Sequence, residues 1–181
     1  MKRIVMMTTV VLVLIAAAIA VAGEQGAKRF REVMTGVKEV PVVSSSGHGV
    51  FTATINEDET EIAYRLEFEG LNSNITQSHI HIGPPNNTGN IDLFLCTNLG
   101  NAPAGQTIQA CPTNATEGVI EGVLTAANVI PLPAQGIAAN ELNEVIALIR
   151  AGVTYVNIHT VASPAGEIRS QLHSHLDNSG R

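Results

Sequence analysis

Two histidines stand two residues apart in the segment SHIHIGPP, residues 78–85. On a β-strand, positions i and i+2 point to the same face, so His79 and His81 would present their imidazoles side by side. Such a pair, joined by a third imidazole from another strand, is the minimum of a zinc or copper site. The candidate third ligand is His159, in the run TYVNIHT.

The position of His159 depends on how the strands are arranged. In its run it shares a face with Tyr155 and Asn157, while the alternate positions point the other way. The sequence does not tell whether this strand lies near the SHIHIGPP strand. His48 follows a Gly/Ser turn and is a further candidate that could close such a site.

A metal-free interpretation of the same histidines stays open. A strand histidine can donate from one ring nitrogen and accept at the other, and so link neighbouring strands without an ion. His173 and His175 repeat the two-residue spacing near the C-terminus, where a solvated tail is the simpler interpretation. Two imidazoles on one buried face, however, need a ligand, a water or a partner to satisfy their nitrogens.

Charged residues inside apolar stretches mark other candidate contacts. Glu167 and Arg169 share a strand face and are predicted to form a structural ion pair, with orientation of the histidines as the alternative role. Glu39 in KEVPVV and Asp92 in NIDLF are isolated acidic residues. Either could bind a histidine or an arginine across the sheet.

The two cysteines, Cys96 and Cys111, predict one disulfide if the chain is exported. The alternative, a pair of cysteine metal ligands, lacks the close spacing of a zinc knuckle. Three N-x-[ST] sequons, at Asn74, Asn86 and Asn114, lie in or beside predicted turns and are candidate glycosylation sites.

The first 22 residues have the pattern of a secretory signal peptide. A positive start is followed by an apolar run that ends in Ala20-Val21-Ala22, which predicts cleavage before Gly23. An uncleaved membrane anchor is the alternative, because the run is nearly long enough to span a bilayer. Residues 23–27 would then be a short linker, and the mature domain is predicted to be secreted or otherwise extracytoplasmic.

Composition and motifs exclude several classes of function. The net charge is −6, so the chain has no basic footprint for nucleic acid. It contains no G-x-S-x-G, P-loop, G-x-G-x-x-G or H-E-x-x-H motif. Aromatic residues make up only 3% and charged residues 14% of the chain, a composition that favours a β-rich exported domain over a helical bundle.

Eight short runs with period-two alternation predict strands, which are residues 28–36, 49–56, 61–71, 76–83, 90–96, 117–126, 154–160 and 166–173. Their number and spacing favour an all-β fold, an antiparallel, Greek-key-like β-sandwich. One amphipathic helix is predicted over about 140–151, with Asn140 as the N-cap and Gly152 after its end. Residues 173–181 are predicted to be a flexible tail.

Several blocks in this order resemble the CHRD domain, the repeat first named in chordin and also found alone in many bacterial and archaeal secreted proteins. They are TGVKEVPVV, the long block that ends in HIHIGPP, EGVLTAANVI and AGVTYVNIHTVASPAGEIRSQL. The resemblance covers residues 28–172 and implies an extracellular β-sandwich module. Three features depart from the family: His48 where a small residue is usual, a long loop between the cysteines, and the C-terminal extension.

Three hypotheses of function follow. The resemblance implies a secreted binding or interaction module without catalytic activity, whose partner would be an unidentified extracellular protein or surface ligand. The histidines favour an extracytoplasmic copper- or zinc-binding protein that uses His79 and His81 with His159 or His48. A redox enzyme built on that metal is the third hypothesis. A membrane association is expected only if the N-terminal segment is not cleaved.

Overall fold

The computed structural model describes residues 28–173. The predicted signal peptide (1–22), the linker (23–27) and residues 174–181 of the predicted tail lie outside the described residues. Within the described part of the chain, no helix is both long enough and apolar enough to cross a membrane.

Eight antiparallel strands and one α-helix form the fold, which confirms the all-β prediction. The strands are β1 (Arg29–Thr35), β2 (His48–Ile55), β3 (Glu61–Glu69), β4 (Ile75–Ile82), β5 (Asn90–Thr97), β6 (Gly118–Thr125), β7 (Thr154–Thr160) and β8 (Ile168–Gln171). The helix α1 (Leu142–Arg150) lies between β6 and β7 in the chain.

The eight strands form one hydrogen-bonded sheet in the order β5-β4-β7-β8-β1-β2-β3-β6, where two layered sheets were predicted. The two four-stranded halves are joined through a single residue pair, Thr35 of β1 with Arg169 of β8. The edge strands β5 and β6 approach each other, and the hydroxyl of Tyr64, on the neighbouring strand β3, donates to the Leu95 carbonyl of β5 at 3.0 Å. The sheet is therefore nearly closed and barrel-like. Alternation in a sequence tells which side chains face inward, but not where the sheet continues from one half to the other.

The half of the sheet made by β1, β2, β3 and β6 follows the simple alternation. In β3, Ile62, Tyr64, Leu66 and Phe68 are buried against the apolar interior, and the residues between them face outward. Burial of these side chains supplies the main stabilisation of this half.

The other half, made by β5, β4, β7 and β8, is buried on both faces. Every residue of β7 and β8 is buried, although only alternate positions such as Val156 and Ile158 join the apolar core. The opposite face of β7 carries Tyr155, Asn157 and His159, and loop residues cover it. Burying a polar face costs free energy unless its groups find partners, so this face is where a site is expected.

The predicted helix is present and slightly shorter than expected. Its buried residues Leu142, Val145, Ile146 and Ile149 have helical spacing and pack against the core. The N-cap is Glu141 and not Asn140, which instead adopts a left-handed φ of 68° just before the helix. Asparagine tolerates that conformation better than most residues, so it ends the preceding loop here.

Cys96 and Cys111 form the predicted disulfide, and both sulfur atoms are buried in the core. The alternative of two cysteine metal ligands is therefore wrong. The bridge ties the end of β5 to the loop that leads to β6, where the Thr97 amide also donates to the Gln109 carbonyl at 3.0 Å.

Replacing both cysteines by serine is expected to lower the free energy of unfolding by about 3 kcal/mol, because a closed loop of this length restricts the unfolded chain. Urea unfolding of the oxidised native chain and of the Cys96→Ser/Cys111→Ser variant measures this difference. Reduced native protein serves as the control and should match the variant. Identical midpoints for all three samples would contradict the prediction.

Candidate metal centre

The pairing of β4 with β7 brings three imidazoles to one place. His79 lies opposite Asn157, and Gln77 lies opposite His159, so His159 is diagonal to His79 on the same face. One nitrogen from each of His79, His81 and His159 lies within 4.8 Å of the others. The closest pair is His79 Nδ1 and His159 Nε2, 3.2 Å apart. All three rings are buried, with His79 fully inaccessible and the other two 6% exposed.

Backbone carbonyls fix the orientation of two of the rings. His159 Nδ1 donates to the Pro164 carbonyl at 3.0 Å, and His81 Nδ1 lies 3.0 Å from the Gly89 carbonyl. A ring that donates from Nδ1 to a carbonyl keeps the lone pair on Nε2, which is a common arrangement for histidine metal ligands. These contacts explain why the Gly89 turn and the Pro164 loop lie over this face.

The cluster holds fewer protons than its contacts need. The histidine nitrogens face Gly89 O, Pro164 O, one another and, at 3.1 Å from His81 Nε2, the side-chain oxygen of Asn157. Each neutral imidazole supplies one N–H, so three rings can fill three of these four contacts. The His79 Nε2 atom is buried without a hydrogen-bond partner among the described residues. Lone pairs without protons are the feature that a cation would satisfy.

Burial also keeps these rings uncharged. It lowers the pKa of His79 to about 2, and the neighbouring His159 and His81 lower it further in the same direction. Burial lowers the pKa of His81 to about 4, although the hydrogen bond from His81 to the Gly89 carbonyl acts in the opposite direction. Burial also lowers the pKa of His159. Near neutral pH all three imidazoles are therefore neutral, and each keeps one nitrogen without a proton, which metal coordination requires.

Aromatic rings and one buried cation surround the cluster. The Tyr155 ring stacks on His81 with centroids 4.6 Å apart, and Phe94 meets His79 edge-on at 4.3 Å. The guanidinium carbon of Arg169 lies 3.4 Å from the centroid of the Tyr155 ring, in cation–π contact. Glu39 lies near Arg169, and burial raises the pKa of this carboxyl to about 6 against the lowering effects of the Val40 amide and Arg169.

The fourth predicted metal ligand, His48, and the histidines of the predicted tail lie elsewhere. His48 begins β2 on the other half of the sheet, where its ring is exposed and its Nε2 lies 2.8 Å from Glu69. It is therefore not part of this cluster. His173 lies 3.5 Å from Glu32, and His175 is outside the described residues.

The predicted Glu167–Arg169 ion pair is wrong. Glu167 accepts hydrogen bonds from the Ser45 hydroxyl at 2.6 Å, from the Asn72 amide at 2.7 Å and from the Thr160 hydroxyl at 2.6 Å. It lies just before β8 begins and faces these loops, whereas Arg169 is within the strand and faces Tyr155. The sequence spacing alone did not reveal where the strand begins.

The sequons and Asp92 complete the predicted sites. Asn86 and Asn114 are exposed, and Asn74 is half-buried at the start of β4, so glycosylation stays a prediction. Asp92 is fully buried in β5, and neither carboxylate oxygen has a hydrogen-bond partner in the part of the chain that the structure describes. Burial raises its pKa to about 7.

Sequence reasoning missed the residues that orient the rings. No role was predicted for Gly89 or Pro164, because a carbonyl acceptor leaves no signature in the side-chain pattern. The alternation of Tyr155, Asn157 and His159 was the available signal for the polar face of β7, and the structure confirms that they share it.

An all-β domain with a buried three-histidine cluster is the class that this fold and site define. The family model of the CHRD domain matches residues 30–172, and the chain belongs to this family. The resemblance inferred from the sequence blocks is thereby confirmed. No curated protein and no solved structure matches the chain.

Proposed function

We propose that this chain is an extracytoplasmic CHRD binding module whose ligand is a copper or zinc ion held by His79, His81 and His159. The observation that carries the proposal is the convergence of three neutral, buried imidazoles from two strands, with one nitrogen of each within 4.8 Å of the others. Copper and zinc are among the ions that imidazole ligands suit. The proposal assigns binding and no reaction.

The spacing supports a shared ion after a small adjustment. Two nitrogens bonded tetrahedrally to one ion at about 2.0–2.1 Å lie about 3.4 Å apart. The His79 Nδ1 and His159 Nε2 atoms are already 3.2 Å apart. On binding, His79 would move its proton from Nδ1 to Nε2, and His81 Nε2 would exchange its Asn157 contact for the ion. Because that contact has no proton once His81 donates to Gly89, little is lost in the exchange.

Export is part of the proposal and rests on the predicted signal peptide and on the disulfide. A disulfide is typical of an oxidising compartment outside the cytoplasm. Cleavage before Gly23 is tested separately by N-terminal sequencing of the protein recovered from the outside of the producing cells.

The native protein is expected to bind about one equivalent of copper or zinc, and the His79→Ala/His81→Ala variant is expected to bind less than about a tenth of that, since one imidazole cannot replace three. Elemental analysis after metal loading and gel filtration measures the stoichiometry. The matched control is His48→Ala, which removes an exposed histidine outside the cluster and should retain the ion. Circular dichroism verifies that each variant is folded.

A native protein without stoichiometric metal, beside a folded variant, would contradict the metal proposal. The function would then be the non-catalytic interaction module for an extracellular protein or surface ligand, and the histidines would serve only to link strands.

A further inference from the structure

We infer that the ion selected by the His79, His81 and His159 cluster is monovalent copper, Cu(I), in preference to Zn²⁺ and Cu²⁺. This inference rests on the proposed metal-binding function and goes beyond it by naming the ion and its charge. Three features carry it: an uncharged donor set, neighbouring charged groups without a net negative charge, and a closed environment around the rings.

The donor set carries no negative charge. The group of ligand atoms that lie together consists of three histidines, and no carboxylate or thiolate of the described residues belongs to it. A bound ion therefore brings its whole charge into a buried site. The free energy of removing an ion from water grows with the square of its charge, so a dication costs about four times as much as a monocation of similar size.

The surroundings do not offset this penalty. Arg169 is 2% exposed and stacks on the Tyr155 ring, whose centroid is 4.6 Å from that of His81. The Tyr155 ring therefore separates the Arg169 charge from His81, and any net charge there acts twice as strongly on a dication as on a monocation. Glu39 is the acidic neighbour of Arg169, and the two charges offset each other. The pair therefore leaves no net negative charge that would stabilise Zn²⁺ or Cu²⁺.

The closed environment favours a low coordination number. Phe94 and Tyr155 lie against two of the rings, and no imidazole is more than 6% exposed. Structural Zn²⁺ takes four ligands, and Cu²⁺ prefers a tetragonal arrangement. Cu(I) is stable with three nitrogen ligands, which is the number that the cluster supplies.

The test is an anaerobic competition on the full-length purified protein, with bicinchoninate as the competing Cu(I) ligand and a chromophoric chelator for Zn²⁺. The dissociation constant for Cu(I) is expected to be at least about 100-fold lower than that for Zn²⁺. Equal or tighter binding of Zn²⁺, lost in His79→Ala/His81→Ala, would overturn this inference and leave the proposed function in place. If neither Cu(I) nor Zn²⁺ binds, both this inference and the proposed function are overturned.

Charge variants test the physical reason. Arg169→Gln removes the buried cation, so the affinity for Zn²⁺ should rise more than the affinity for Cu(I). The ratio of the Zn²⁺ dissociation constant to the Cu(I) dissociation constant should then fall by about 10-fold. The matched control is Arg169→Gln/Glu39→Gln, which restores the charge balance and should return the ratio towards the native value. An equal change for both ions in Arg169→Gln would show that Arg169 acts only as scaffold and would overturn the electrostatic argument.

Discussion

Asp92→Asn is expected to stabilise the protein, relative to the native chain, by about 4 kcal/mol more at about pH 8 than at about pH 4. Asp92 is fully buried with both oxygens unpartnered, and burial raises its pKa from 3.8 to about 7. The native state therefore holds its proton more tightly than the unfolded chain does. The stabilisation by protonated Asp92 is complete below its unfolded-state pKa of 3.8 and is lost as the pH rises through its folded-state pKa of about 7. An asparagine at this position cannot titrate, so the variant does not lose this stability.

Urea unfolding of both chains at the two pH values measures this difference. Burial acts in the opposite direction on the histidines: their lowered pKa values destabilise the native state as the pH falls below 6.5. They are present in both chains, so their effect cancels in the comparison. Asp58→Asn, in the exposed turn between β2 and β3, is the matched control. If the difference in the free energy of unfolding between Asp92→Asn and the native chain does not vary with pH, the buried Asp92 carboxyl does not have the raised pKa.

Gly89→Ala is expected to lower metal affinity by about 10- to 100-fold and stability by about 2 kcal/mol, because it displaces a group that orients a ligand. A Cβ at this position would lie 2.0 Å from the Ile82 carbonyl oxygen, which is a backbone collision. The Gly89 carbonyl faces His81 Nδ1 at 3.0 Å, and its amide donates to the Tyr155 hydroxyl at 3.0 Å. Moving the backbone therefore disturbs two rings of the site at once.

The measurement is the chelator competition together with urea unfolding. Gly105→Ala is the matched control: it lies in the loop between β5 and β6, and apart from its chain neighbours no heavy atom lies within 4 Å of its added Cβ. That variant should lose a little stability through its left-handed backbone and keep its metal affinity. Native affinity in a folded Gly89→Ala protein would show that the carbonyl does not position His81.

The sequence predicted the local structure of the site well. Period-two alternation correctly placed His79 and His81 on one face of their strand, and His159 with Tyr155 and Asn157 on one face of theirs. The helix was found from the spacing of its four buried apolar residues. These features depend on the periodicity of strands and helices, which neighbouring residues in the chain determine.

Features that depend on long-range pairing were not predictable in the same way. The site exists because β4 pairs with β7, about eighty residues further along the chain. His48 carries the same side chain, but its strand β2 lies in the other half of the sheet. The Glu167 carboxylate accepts hydrogen bonds from donors in two loops and does not pair with Arg169. The Arg169 guanidinium instead stacks on the Tyr155 ring.

The polar face of β7 is the feature that separates function from stability in this fold. The domain already has an apolar core on the inner face of the sheet. Covering a second, polar face with loops orders more chain and desolvates three histidines, which stabilises the fold little. A cost of this kind is typical of a binding site.

The most direct measurement of the central claim is a crystal structure of the metal-loaded protein, prepared anaerobically with Cu(I). We expect one ion bonded to one nitrogen from each of His79, His81 and His159 at about 2.0–2.1 Å. An ion bound only at His48 or His173, or a cluster that keeps the His79–His159 hydrogen bond at saturating metal, would contradict it.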